Sequence, residues 1–243
     1  SPSATQSFGL PSTRYALCEN EMHFVIDAHR AAARGLVESG YDGAELHVSH
    51  GMLLETFLSP YFNKRLDRYG GRLENRARLI VEILEAMKRE TQGRLALGMR
   101  FTVDQLLPGG WGEQGGREIL AYLCATGLLD IVDLDIAVEP EQHHLAIPPF
   151  FEKKLHNAER VARVRDAAGS VPVLCTPSRV TEIAEAEDLL ARGVSDMVGI
   201  ARGMIAEPEL VNNALHGHED RSRKCIAANH CSPYNPGHGC ALN

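Results

Sequence analysis

GYDGAELHVSHGMLLETFLSPYFNKRLDRYGGRLENR, residues 40–76, is the stretch on which the fold turns. It opens on the alternation Ala44-Glu45-Leu46-His47-Val48, shortly after a glycine, Gly40, that can end a helix. This predicts a short buried strand over residues 44–49. Two histidines, His47 and His50, fall where the strand gives way to Gly51. That spacing at a strand end can turn two imidazoles toward one point, where they can hold a carbonyl oxygen, an anion or a metal. A tight turn at Gly70-Gly71 then leads into a helix predicted from Leu73 to Glu90, with Leu79, Ile80, Ile83, Leu84 and Met87 as its buried stripe.

The same grammar recurs on both sides. Residues 1–15, rich in Ser, Pro and Thr, read as an extended loop. From Asn20, a helical face is formed by Met22, Val25, Ile26, Ala32, Leu36 and Val37. Downstream, strands are predicted at Leu95–Phe101, Ile131–Ile136, Val171–Cys175 and Asp196–Ile200. Helices are predicted at Arg117–Ala125, Leu155–Ala168, from a Thr181 cap to Arg192, and at Glu207–His216. Strands alternating with helices every ~35–40 residues imply parallel βα units. Five strands satisfy an open doubly wound sheet, whereas an eight-stranded barrel of about 250 residues needs three more. Spacing leaves both open.

The chain of 243 residues is long enough for one sizeable core, with 44% hydrophobic and 23% charged residues. A net charge of -7 argues against nucleic acid or an anionic membrane as partner. No apolar run approaches the roughly 18 residues of a membrane helix, and the first residues lack a signal pattern, so the expected location is cytoplasmic. Of six cysteines, Cys18, Cys124 and Cys175 are scattered while Cys225, Cys231 and Cys240 crowd the tail. Three in so short a segment point to a metal or cluster site, with unpaired thiols as the alternative.

Several residues sit where chemistry is done. Arg100 ends an apolar strand, the position of catalytic groups in βα barrels; an ion pair with Asp135 or Glu45 is the other reading. Asp133 and Asp135 end the next strand and could meet a cationic amine. The run Val198-Gly199-Ile200-Ala201-Arg202-Gly203 is a glycine-flanked turn feeding a helix, suited to phosphate through Ala201 and Arg202. The turn containing Ser178 and Arg179 is a second phosphate candidate. Residues 139–148 carry His143 and His144. With one tryptophan, Trp111, the chain offers no aromatic cage for a quaternary ammonium.

The block HVSHGMLLETFLSPYFNKRLDRYGGRLENR resembles the Old Yellow Enzyme family of NADH:flavin oxidoreductases. The match is nearest the iron–sulfur branch that includes trimethylamine dehydrogenase and 2,4-dienoyl-CoA reductase. His-x-x-His-Gly, Phe-Leu-Ser-Pro, Asn-Lys-Arg, Asp-x-Tyr-Gly-Gly and Leu-Glu-Asn-Arg occur in order and without gaps. The resemblance implies a parallel (β/α)8 TIM barrel of which this chain carries about five βα units, strands four to eight. Residues 1–220 would be the C-terminal part of an FMN-binding barrel and residues 221–243 a cysteine tail. A homo-oligomer or a partner chain would supply the other strands.

By the same resemblance, His47 and His50 stand over the flavin and hold a substrate oxygen. Arg100, in Arg100-Phe101-Thr102-Val103-Asp104, faces the flavin ring, and Ser178, Arg179, Ala201 and Arg202 hold its phosphate. His143, measured back from Ile147-Pro148, matches a proton-delivering histidine of dienoyl-CoA reductases. Met52 replaces the proton-donating tyrosine of many ene-reductases. Cys225, Cys231 and Cys240 match three of four ligands of a 4Fe–4S cluster, with Ala228 at the second, so the motif is partial. The implied function is hydride transfer between FMN and a small substrate, either amine oxidation with N-demethylation or enoate or dienoyl reduction, with NAD(P)H as a candidate electron donor. The alternatives are a catalytically silent barrel fragment serving assembly or binding, and a flavin-free phosphate-binding isomerase or lyase, which leaves residues 41–75 unexplained.

Overall fold

The computed structural model describes residues 1–6, 13–139, 142–232 and 239–243. A small antiparallel ladder pairs β1 (Thr5–Gln6) with β2 (Thr13–Arg14), where an extended loop is expected. Residues 7–12 of that segment lie outside the described residues. Helix α1 (Glu19–Glu38) starts with the Cys18 amide on the Glu21 carboxylate and stops where Gly40 takes φ +80.

Next come β3 (Gly43–Val48), α2 (Leu53–Leu58), α3 (Leu73–Thr91), β4 (Ala96–Thr102), α4 (Glu113–Ala125) and β5 (Ile131–Asp135). They are followed by α5 (His143–Ala146), α6 (Ala158–Val164), β6 (Val173–Cys175), α7 (Ile183–Ala191), β7 (Met197–Val198), α8 (Arg202–Ala206) and α9 (Leu210–Leu215). Strands β3 to β7 form one parallel sheet in chain order, with β3 and β7 at its edges. The five predicted βα units are all present.

Alternation along the strands gives the sheet two unlike faces. Leu46, Met99, Val132 and Val173 share one register row, and Val48, Phe101, Leu134 and Cys175 another. These residues are buried in one core with the α3 stripe Leu79, Ile80, Ile83, Leu84 and Met87. Burying each Leu or Ile contributes about 1.5–3 kcal/mol. The rows between carry His47, Arg100 and Asp133, then Thr102 and Asp135. The sheet thus buries its apolar face beneath the helices and gathers its polar groups at the carboxyl ends of its strands.

Where elements depart from the sequence reading, packing gives the reason. Helix α4 begins at Glu113 because Gly115 and Gly116 lie inside it; a Cβ at Gly116 would stand 1.9 Å from the Val103 carbonyl oxygen. Gly116 thus permits close contact between α4 and the residue that follows β4, and Gly115 a close approach to Trp111. Helix α7 is capped by Glu182, not Thr181: Glu185 reaches back to the amides of both Thr181 and Glu182. Leu155 takes φ +55, so the helix after it is confined to Ala158–Val164 and continues as a tighter turn, Arg165–Ala168. The loop after β3 contains α2, a six-residue helix of mostly apolar side chains.

The most recognisable part of that loop is scaffold. Asn63 donates to the carbonyls of Phe57 (2.6 Å) and Tyr69 (2.8 Å), and Arg65 ties it to Pro2 (3.0 Å) and Leu17 (2.6 Å). A Cβ at Gly70 would lie 2.1 Å from the Arg65 carbonyl oxygen. Residues Asn63 to Gly70 close the loop on itself and line no part of the cleft described next. Among the described residues, no helix is long and apolar enough to cross a membrane.

Candidate active site

The carboxyl ends of β3, β4 and β5 bring His47, Arg100 and Asp133 side by side in one row. One step along, the turn after β3 swings His50 over the sheet, with ring centroids of the two histidines 5.4 Å apart and tilted by 56°. The predicted pair therefore converges, and Arg100 joins it.

Asp135 is the hub. Fully buried, it accepts from Arg100 Nη2 (2.5 Å), Asn157 Nδ2 (3.0 Å) and the Ile136 amide (2.8 Å), with His50 Nε2 at 3.2 Å. Burial alone would raise its carboxyl, but His50 and then Arg100 hold it at about 2. An ionised carboxylate only accepts, which fixes His50 Nε2 as the nitrogen bearing hydrogen. Asp135 therefore orients the site, and its oxygens are engaged by protein donors rather than open to an amine.

Asp133 differs. It lies 3.6 Å from Arg100 Nη1 and accepts from Thr176 Oγ1 at 3.0 Å, yet burial drives it up to about 7 against the pull of Arg100. The expected ion pair of Arg100 thus runs to Asp135 and Asp133, and Glu45 is not among its ion-pair partners. Arg100 keeps its buried Nε without a partner. His47 stands on the sheet edge, exposed on its outer side; partial desolvation, then the positive fields of His50 and Arg100, lower it to about 4. It is neutral at pH 7 and offers one donor and one acceptor.

His47, His50, Arg100 and Asp135 form one end of a cleft of about 310 Å³ whose far wall includes Ser178, Arg179, Ala201 and Arg202. Glycines shape that wall: a Cβ at Gly199 would lie 2.4 Å from Thr176 Oγ1, and one at Gly203 2.7 Å from the Val180 carbonyl oxygen. Arg179, at φ +67, donates Nη1 to the carbonyls of Pro149 (3.3 Å), Phe150 (3.0 Å) and Glu152 (2.5 Å), and its buried Nε has no partner. Arg202 donates to the Pro148 carbonyl (2.7 Å) and Asn229 Oδ1 (2.5 Å). The Ser178 amide is taken by Asn157 Oδ1 at 3.1 Å. Two guanidiniums at one end, an unpartnered Arg100 Nε at the other and glycine-cleared walls fit a flat, anionic, heteroaromatic cofactor such as FMN.

His143 does not line the cleft; its imidazole pairs with Glu139 at 3.4 Å, and Glu139 does line it. Met52 precedes α2 with an exposed side chain and has no proton to give. Cys225, Cys231 and Cys240, with Ala228 and Arg202, line a small pocket that adjoins the cleft, sharing Cys225, Cys231 and Arg202 with it. Among the described residues, no three His, Cys, Asp or Glu side chains converge as a single-ion site. Three thiols around one pocket suit the thiolate chemistry of an iron–sulfur cluster, with one of the usual four ligands missing.

Sequence reasoning missed Asn157, Thr176 and Glu55. Asn157 bridges Asp135 and the Ser178 turn, partners 22 and 21 residues away, so nothing local marks it. Thr176 follows β6 and faces Asp133. Glu55 lies under the His50 turn and burial lifts it to about 7; its one local signal is a carboxylate within the apolar run Leu53-Leu54-Glu55-Thr56-Phe57-Leu58.

Residues 3–221 match the family described as NADH:flavin oxidoreductase / NADH oxidase. N,N-dimethylglycine/sarcosine dehydrogenase of Chromohalobacter salexigens is 34% identical over 239 residues, which are 95% of this chain and 33% of that protein. Histamine dehydrogenase from Rhizobium sp. 4-9 superposes with TM-score 0.85 at 28% identity, over 95% of this chain and 33% of that one. 2-Naphthoyl-CoA reductase superposes with TM-score 0.89 at 27% identity, over 100% of this chain and 37% of that one. The chain spans about a third of the length of these relatives. Its five-stranded parallel sheet has the fold of part of a (β/α)8-barrel flavoenzyme.

Proposed function

The chain belongs to the NADH:flavin oxidoreductase / NADH oxidase family of flavin-dependent oxidoreductases, and from that premise we propose that it is the FMN-binding part of an enzyme that oxidises a small secondary or tertiary amine. The observation that carries this reading is the cleft itself, with a neutral His47, an Asp135-oriented His50 and Arg100 at one end and two arginines at the other. Bound FMN would supply the hydride acceptor. Arg179 and Arg202 would hold its phosphate and Arg100 the electron-rich side of its ring.

The protein's own part is orientation and charge. Neutral His47 can accept from an amine N–H or donate to an oxygen, and it stays uncharged well below pH 7. His50 is held by Asp135 with its remaining ring nitrogen directed away from that bond. Met52 offers no proton, which favours amine oxidation over alkene reduction, a reaction that needs a donor to carbon. In the reductive direction, the donor would be His143, acting through Glu139 at the cleft wall. We assign residues 1–220 to the flavin-binding unit and 221–243 to a tail whose Cys225, Cys231 and Cys240 would hold an iron–sulfur cluster. NAD(P)H remains the candidate donor for the reductive direction.

Purified protein, reconstituted with FMN and then denatured to identify released flavin, tests the reading. Stoichiometric FMN, bleached anaerobically by a methylated amine, is the expected result. Failure to retain FMN overturns the enzymatic reading and leaves the binding or assembly role.

A further inference from the structure

The His50–Gly51 turn is, with Arg179, a strained part of the cleft. His50 takes φ +57 and Gly51 φ +72, and left-handed backbone is disfavoured for a residue with a Cβ. Such a conformation persists only where its surroundings enforce it. Here both amides are caught from beneath. His50 N–H donates to Thr102 Oγ1 (3.3 Å), and Gly51 N–H donates to Glu55 Oε2 at 2.5 Å. From above, the turn is closed by the backbone of Glu139, which a Cβ at Gly51 would approach to 2.9 Å.

Glu55 is completely buried and lines no part of the cleft. Its second oxygen accepts from Gln105 Nε2 at 2.7 Å; Gln105 Oε1 in turn accepts from Ser59 Oγ (3.0 Å) and the Trp111 amide (3.2 Å). Directions along this chain are fixed by its N–H donors: the Trp111 amide makes Gln105 Oε1 an acceptor, so Gln105 Nε2 donates to one Glu55 oxygen and the Gly51 amide to the other. Sealing a carboxylate under an apolar helix is unfavourable unless the donors it holds offset the desolvation. The donor it meets at the shortest distance belongs to the residue after His50.

We propose that Glu55 is a positioning residue of the cleft: by holding the Gly51 amide it locks the left-handed turn and so sets the His50 imidazole against Asp135. The inference rests on the functional reading above only for its kinetic consequence. The structural consequence belongs to the chain alone and can be measured without flavin.

The test is a swap of the hydrogen-bonding pair in the full chain, read by amide exchange at Gly51 and by NMR of the His50 ring. In Glu55→Gln one amide NH2 faces a donor, so Gly51 exchange should accelerate roughly tenfold or more and the His50 resonances should move. In the double variant Glu55→Gln/Gln105→Glu every donor again meets an acceptor, and both readouts should return to wild type. FMN retention, measured alongside, should change little, while kcat falls more than KM rises in Glu55→Gln and recovers in the swap. Unchanged exchange and ring resonances in Glu55→Gln would overturn the proposal. So would a swap that leaves them displaced, or one that fails to fold although its hydrogen bonds are conserved. If Glu55→Gln alone does not fold, the swap decides by the same readouts. Wild-type protein that binds no FMN would sink the flavin reading and leave the role of Glu55 in the turn standing on its own two readouts.

Discussion

The two ends of the cleft are built by different means. At the histidine end, strand register sets the places of His47, Arg100 and Asp133, and Asp135 neutralises what lies around it through contacts to three other segments of chain. At the arginine end, Arg179 and Arg202 rest on carbonyl oxygens of residues 148–152. A carbonyl is a replaceable partner for a guanidinium, since an anion binds it more strongly. A buried carboxylate matched to a buried cation is not replaceable, because removing either leaves an uncompensated charge. One end is thus frame as well as site, while the other can exchange partners without unfolding.

The largest effect should follow from breaking the histidine end. Asp135→Ala takes from Arg100 its nearer carboxylate, leaving only the more distant Asp133, and frees His50; it should cost about 3–5 kcal/mol of stability in chemical denaturation. A loss no larger than that of an ordinary surface change would erase the contrast between the two ends. The same carboxyl gives a pH signature. Its folded value of about 2 lies below its ordinary one, so the stability it contributes is complete above about pH 4 and drains as pH falls toward 2. Asp135→Asn should flatten that acid limb.

At the arginine end the order of effects reverses. Arg202→Ala and Arg179→Ala should leave the unfolding midpoint nearly unchanged and weaken FMN binding by roughly 10–100-fold each, the worth of a charge-assisted hydrogen bond. Equilibrium titration of flavin fluorescence measures this. If either variant unfolds as readily as Asp135→Ala, its guanidinium belongs to the frame and the distinction fails.

A smaller effect sharpens the boundary at His47. Its folded value, near 4, lies below the usual one, so protonation is penalised in the fold and stability falls as pH drops from about 6.5 toward 4. Denaturation across that window should show a shallow slope that His47→Gln removes. The slope is shallow because the ring is open to solvent on its outer side, where screening is strong. A steep slope would mean that His47 is embedded in the frame like Asp135.

How much of this was legible depended on how each residue is held. Periodicity gave the α3 stripe and all five strands, because alternation and helical spacing are properties of neighbouring positions. Arg100 was legible as a charge ending an apolar strand, and the histidine pair by its spacing. Asp135 was visible as a strand-end carboxylate, but its role was not, since Arg100 and His50 lie 35 and 85 residues away. Gly116 of α4 misled for a related reason: its value lies in close approach to the Val103 carbonyl, which local sequence does not express. Asn63 to Gly70 is part of the block that carries the family resemblance, yet its side chains brace a loop. One conspicuous block can thus join residues of the cleft, His47 and His50, to a stretch that only braces a loop.

The smallest effect should come from the tail, and it asks whether the cysteine pocket belongs with the frame or with the exchangeable end. Ala228 is exposed and lines that pocket with Cys225, Cys231 and Cys240. Ala228→Cys adds a thiol where the other three already gather. Being exposed, it should shift stability by no more than about 0.5 kcal/mol. After anaerobic reconstitution, the variant should retain more iron than the wild type, rising toward about four per chain as four thiolates become available. The tail meets the cleft through Cys225, Cys231 and Ser232, which help to line it, and through Arg202, which donates to Asn229 and feels Cys225 and Cys231 beside it. If iron loading also strengthens or weakens FMN binding while the Asp135 acid limb stays put, cluster and cofactor communicate across the cleft wall they share, without the sheet. A change in the acid limb instead would tie the tail to the sheet and make the cleft one mechanical unit.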